Sequence, residues 1–118
     1  MHVDWVRKVC LALPHTAESV KWDNNLVFTV ADKMFAIAGL EPGEIWLSFK
    51  CSPEDYADLI ERMGVRPAPY LARAYWVALE TRNAMPQTEL KGRLEEAYRL
   101  VWEKLPRKRR EALQARQK

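Results

Sequence analysis

Residues 25–51, NLVFTVADKMFAIAGLEPGEIWLSFKC, alternate apolar and other residues with period two and are interrupted twice by turn formers at hairpin spacing. This is the pattern of a three-strand antiparallel meander. In the first run Leu26, Phe28 and Val30 share a face. In the second, Phe35 and Ile37 oppose Met34, Ala36 and Ala38, and in the third Ile45, Leu47 and Phe49 oppose Trp46, Ser48 and Lys50. Ala31-Asp32-Lys33 predicts a tight first turn, and Glu41-Pro42-Gly43-Glu44 sets Pro and Gly as the central pair of a type II turn. Connections this short make the strands neighbours. One face of the meander is strongly apolar and must be covered, and the helices on either side of it in the chain are the covers. The expected fold class is therefore α+β: an antiparallel sheet with helices packed on it.

Upstream, Asp4 is a plausible cap for a helix whose stripe is Trp5, Val6, Val9, Cys10 and Leu13 and which Pro14 stops. Ser19 to Trp22 reads as a short extended piece, and Asp23-Asn24-Asn25 as the turn into the meander. Downstream, Ser52-Pro53-Glu54-Asp55 is the clearest local signal. Ser52 can cap, Pro53 suits the first helical position, Glu54 and Asp55 favour the dipole, and Asp55 is placed to return a capping-box bond. Tyr56, Leu59, Ile60 and Met63 would be that helix's buried stripe, with Gly64 left-handed beyond it. Arg66-Pro67-Ala68-Pro69-Tyr70 reads as stiff and extended. Tyr75, Val77 and Leu79, alternating with Trp76 and Ala78, read as one more strand, joining either the meander's edge or the Ser19 to Trp22 strand. Thr88, or a residue just before it, caps a long helix with Leu90, Leu94, Ala97, Tyr98, Val101 and Leu105 on one stripe. Pro106 breaks it, and Arg107-Lys108-Arg109-Arg110 leads into a short helix with few apolar residues, expected to fray.

The whole reads as one domain, 1–118, with a basic C-terminal segment, 107–118. At 118 residues, 48% hydrophobic and 30% charged, the chain is globular and long enough for a single core. No apolar run approaches the ~20 residues of a membrane span, and the first residues lack a signal peptide's pattern, so no membrane partner and a cytoplasmic location are expected. Cys10 and Cys51 are expected to be reduced, packed thiols. Net charge is +3, but it is unevenly spread. Through Glu61 five basic residues face ten acids, a balance of −5, and beyond it 14 face six, a balance of +8. That asymmetry points to an anionic partner.

Two cationic sets are candidates for phosphate contact. One is Arg107, Lys108, Arg109 and Arg110 with Arg99 and Lys104. The other combines Lys33, Lys50, Arg66 and Arg73 with the aromatics Trp22, Trp46, Tyr70 and Trp76, because aromatics among cations can stack bases. Each has a plainer alternative, a solvated helix end for the first and core aromatics for the second. His2, His15 and the two cysteines show no ligand pair at helical spacing and no C-x-x-C, so no metal and no cofactor are expected. Glu41, Glu44, Glu54, Asp55 and Asp58 could serve as acid/base pairs or an acidic ridge, but turns and caps account for most of them. With only Gly39, Gly43, Gly64 and Gly92, no phosphate-cradling loop can be assembled.

Leu13-Pro14 with Glu18, Lys33-Met34-Phe35-Ala36, Leu47-Ser48-Phe49-Lys50-Cys51, Ala68-Pro69-Tyr70-Leu71 before Trp76-Val77, Tyr98, and Leu105-Pro106 before a basic stretch follow one another in an order that resembles the MmcQ/YjbR family of small bacterial proteins. The resemblance runs over nearly the whole chain. It departs before Lys33, where family members often carry glycine and this chain has Ala31-Asp32, which leaves the turn type open. The resemblance implies an α+β fold similar to frataxin-like CyaY proteins and type III secretion chaperones. It also implies a DNA-binding label resting on a double-wing likeness, and it brings no catalytic residue. Two expectations follow. The first is a non-enzymatic protein that binds duplex DNA mainly through phosphates; the alternative is a non-enzymatic protein-interaction or small-ligand module using the sheet face.

Overall fold

The sheet grows outward from the hairpin at Ala31-Asp32. Both residues have positive φ, 50° and 65°, the backbone of a type I′ turn, whose twist matches that of the strands it joins. It carries β2 (Asn25–Val30) into β3 (Lys33–Gly39) in antiparallel register. The structure is a computed structural model that describes residues 2–22 and 24–116, so Asp23 of the expected upstream turn lies outside the described residues.

A β-bulge decides which side chains of β3 enter the core. Phe28 faces Ala36 but Thr29 faces Met34, so Phe35 is an extra residue on β3. Phe35, Ala36 and Ala38 therefore all enter the core beneath the helices, and Met34 and Ile37 turn to the opposite face. This corrects the alternation expected for that strand. The next connection is also different from expectation. Gly43 lacks the positive φ that a type II turn demands. A wider loop forms instead, closed by the Gly39 N–H donating to the Trp46 carbonyl at 2.9 Å. Within it Trp46 enters the main core and Ile45 the opposite face, the reverse of strict alternation, which resumes with Leu47.

β4 (Leu47–Lys50) pairs with β3 on one side and β6 (Trp76–Leu79) on the other, and β6 carries the edge strand β5 (Val65–Pro67). β1 (Thr16–Lys21), longer than the piece expected there, forms the other edge. The order is β1-β2-β3-β4-β6-β5, antiparallel throughout. The last strand thus joins the meander's edge, and Pro67 is tolerated because β5 is an edge strand.

α1 (Val3–Leu11) and α3 (Gln87–Lys104) cover one face, contributing Val6, Val9 and Cys10 from the first and Leu90, Leu94, Ala97 and Val101 from the second to a core with Phe28, Phe35, Leu47 and Phe49. Both stripes are those the periodicity indicates. Their starts differ: His2 rather than Asp4 caps α1, its Nδ1 accepting from the Asp4 N–H at 3.2 Å, and α3 follows Pro86 with no side-chain cap. α2 (Pro53–Leu59) begins as expected, with Ser52 Oγ accepting from the Asp55 N–H at 3.1 Å. It ends before Met63, which is 95% exposed rather than buried. Gly64 does take positive φ, 85°, in the turn beyond the helix. α4 (Arg107–Ala115) starts directly after Pro106 and buries no residue.

The opposite face of the sheet carries a second apolar cluster, Ala68, Trp76 and Ala78 packed with Met34, Ile37, Ile45 and Leu71. No α-helical residue takes part in it.

Candidate nucleic-acid interface

Antiparallel pairing places the start of β3 beside the end of β4, and α3 packs on both strands. Lys33 opens β3, Lys50 closes β4 and Lys104 ends α3, and the three line one depression of about 310 Å³. Its other walls are Met34, Trp76, Val101, Leu105 and Pro106, with no carboxylate among them. Lys50 Nζ donates to the Ala74 carbonyl at 2.9 Å. Burial, and then the nearby Lys104 charge, hold its ammonium below the ordinary lysine value. Like charges gathered without a counter-charge make a site that favours an anion.

The structure brings Lys104 from the C-terminal set together with Lys33 and Lys50 from the sheet set, and it takes other expected cations out of play. Arg99 is held by Glu96 and Glu103, with Nε–Oε2 to Glu96 at 2.9 Å and Nη1–Oε1 to Glu103 at 2.7 Å; these bonds raise its affinity for its proton and lower that of Glu96. Arg66 meets Glu44 at 3.3 Å and Glu80 at 3.9 Å. Arg107 meets Glu111 within α4 at 2.9 Å. Arg109 reaches back to Asp32 at 3.7 Å, which tethers α4 beside the turn that precedes Lys33. Lys108 and Arg73 are exposed, Arg73 in a short 3₁₀ turn (Ala72–Ala74) that includes the carbonyl Lys50 uses. Arg110 is half-buried, and its Nε has no hydrogen-bond partner among the described residues.

Of the four aromatics expected at the surface, two are core. Trp76 is buried, and Trp46 is buried with its Nε1–H donating to the Thr81 carbonyl at 2.8 Å and the Arg82 guanidinium 5.1 Å from its ring centre. Trp22 and Tyr70 are 61% and 104% exposed. Both have positive φ, 53° and 66°, and both line an open cleft of about 580 Å³ on the helix-free face, floored by Met34, Ile37, Ile45 and Leu71. Among the described residues no charged one lines this cleft. Met34 lines both the cleft and the lysine depression, so the two are contiguous. Sequence reading did not find the cleft, since it forms only when the Ala68–Leu71 segment folds against the sheet.

Several of the remaining candidates have structural roles. His15 stacks on Trp102, ring centres 5.7 Å apart, and His2 caps α1. Asp55 meets Arg93 at 3.0 Å. Among the described residues no group of three or more His, Cys, Asp or Glu could hold a metal ion.

Helices on one face of an open antiparallel sheet, with a lysine-lined depression at one end, define a small α+β domain. The chain belongs to the YjbR family, whose model matches residues 11–100. Among solved structures it is similar to a Deinococcus radiodurans protein with a DUF419 domain, at 29% identity and TM-score 0.85, covering 94% of this chain and 86% of that one. A Pseudomonas syringae protein shares the fold at 17% identity and TM-score 0.68, covering 85% of this chain and 98% of that one. No curated protein matches. No helix of the described residues is long and apolar enough to cross a membrane.

Proposed function

We propose that this protein binds nucleic acid through its phosphates, without catalysis. The observation that carries the reading is the convergence of Lys33, Lys50 and Lys104 on one depression that no carboxylate of the described residues lines, continued by the basic first turn of α4 that Arg109 ties to Asp32. Binding rather than catalysis is supported by the thiols: burial pushes Cys10 up to about 12 and Cys51 up to about 11, so neither is an activated nucleophile.

Titration against duplex DNA, single-stranded DNA and RNA over a range of salt tests this. If three phosphates are neutralised, the logarithm of affinity should fall with that of salt at a slope of about −2.7 for duplex and about −2.1 for a single strand. Replacing the exposed Lys33 and Lys104 together by Gln should flatten the slope while thermal unfolding stays unchanged. An unchanged slope would show the site to be wrong. Absence of binding to all three polymers at ~50 mM salt would remove the nucleic-acid reading, and the uncharged cleft would then favour a protein- or ligand-binding module on the sheet face.

A further inference from the structure

We infer that the strand this protein takes is single, with bases received in the uncharged cleft while phosphates meet Lys33, Lys50 and Lys104. The inference rests on the phosphate-binding reading and names its substrate class.

The cleft and the depression adjoin. Met34 lines both, and Trp76, a wall of the depression, packs in the cluster with Met34, Ile37, Ile45 and Leu71 that floors the cleft. An occupant that spans them must be anionic at one end of this surface, and flat and uncharged at the other. A nucleotide chain has that alternation of character built in.

The rim of the cleft is suited to base faces. Trp22 and Tyr70 present their rings to solvent instead of burying them, and each does so from a left-handed backbone position that bulky residues rarely occupy. Exposed aromatics for bases, with cations further along for phosphates, are the parts of a single-strand binder's stacking platform and electrostatic track. Asn25 and Ser48 line the same cleft and supply polar groups for base edges. A duplex cannot use this surface fully, because its base faces are stacked on one another and only its phosphates would reach the lysines.

The test compares three probes of equal length, about twelve nucleotides: a single strand of mixed sequence, the matching duplex, and an abasic single strand that keeps every phosphate and lacks every base. The single strand should bind roughly tenfold or more tighter than the abasic strand and tighter than the duplex. A Trp22→Ala, Tyr70→Ala variant should bring the mixed strand down to the abasic level with its salt slope retained, and unchanged thermal unfolding checks that the variant is folded. Equal affinity for the mixed and abasic strands, preference for the duplex, or full affinity in the folded variant would each overturn the inference while leaving phosphate binding standing. Loss of salt-dependent binding to every probe would instead overturn the phosphate reading itself, and the inference with it.

Discussion

Ala31 has φ 50°, where the Cβ of an L-residue approaches its own carbonyl at a cost of ~1–2 kcal/mol. The β2–β3 hairpin holds it there because a type I′ turn gives both central positions positive φ. Asp32 fits the second position better, since short polar side chains tolerate the left-handed region. Glycine at position 31 would remove the strain but add freedom to the unfolded chain worth about 0.4–1 kcal/mol. Ala31→Gly is therefore expected to raise stability by up to about 1 kcal/mol, read from the denaturation midpoint. A lower midpoint would mean that the strain at this turn has been misjudged.

At the scale of elements, α4 stands out for its direction. Its first turn is Arg107-Lys108-Arg109-Arg110, four cations at the end of a helix where the backbone dipole favours negative charge. Pro106 supplies no side-chain cap, and Arg107–Glu111 and Arg109–Asp32 offset the charge only in part. Stability alone would put acids here. Lys108, which is exposed, separates the two demands. Lys108→Glu is expected to stabilise α4 by about 0.5 kcal/mol, seen as slower amide exchange in 107–115, while weakening nucleic-acid binding. A variant that both loosens the helix and leaves binding unchanged would contradict this reading of α4. α2 shows the opposite case: its Ser52 cap and acidic first turn agree with the dipole, and no ligand is needed to explain its start.

For the molecule as a whole, acid stability follows from pairs such as Arg7–Glu18, which joins α1 to the edge strand β1 with Nε–Oε2 at 2.8 Å. The hydrogen bond from Arg7 holds the Glu18 carboxyl below the ordinary carboxylate value. Its stabilisation is therefore complete above the unfolded-state value of about 4.3 and is lost as pH falls through the lower folded value. Glu18→Gln should be less stable than the parent at pH 7, and the gap should close as pH falls through the lowered folded value. A gap that persists at low pH would mean that the charge pair is not its source. What the sequence made legible was local or periodic: the Ser52-Pro53 helix start, the stripes of α1 and α3, and the antiparallel meander. The bulge at Phe35 was not legible, since it depends on pairing with β2. Strand β5 was hidden by Pro67, which reads against a strand until its edge position is known. Lys33, Lys50 and Lys104 lie up to 71 positions apart in the chain, and only the sheet's register and the placement of α3 bring them to one depression. Met34 completes that arrangement in one respect. It is a wall of both the lysine depression and the cleft, on an unbranched side chain that adapts its shape easily, so any change that filling one makes in affinity at the other must be matched by the same factor in the reverse direction.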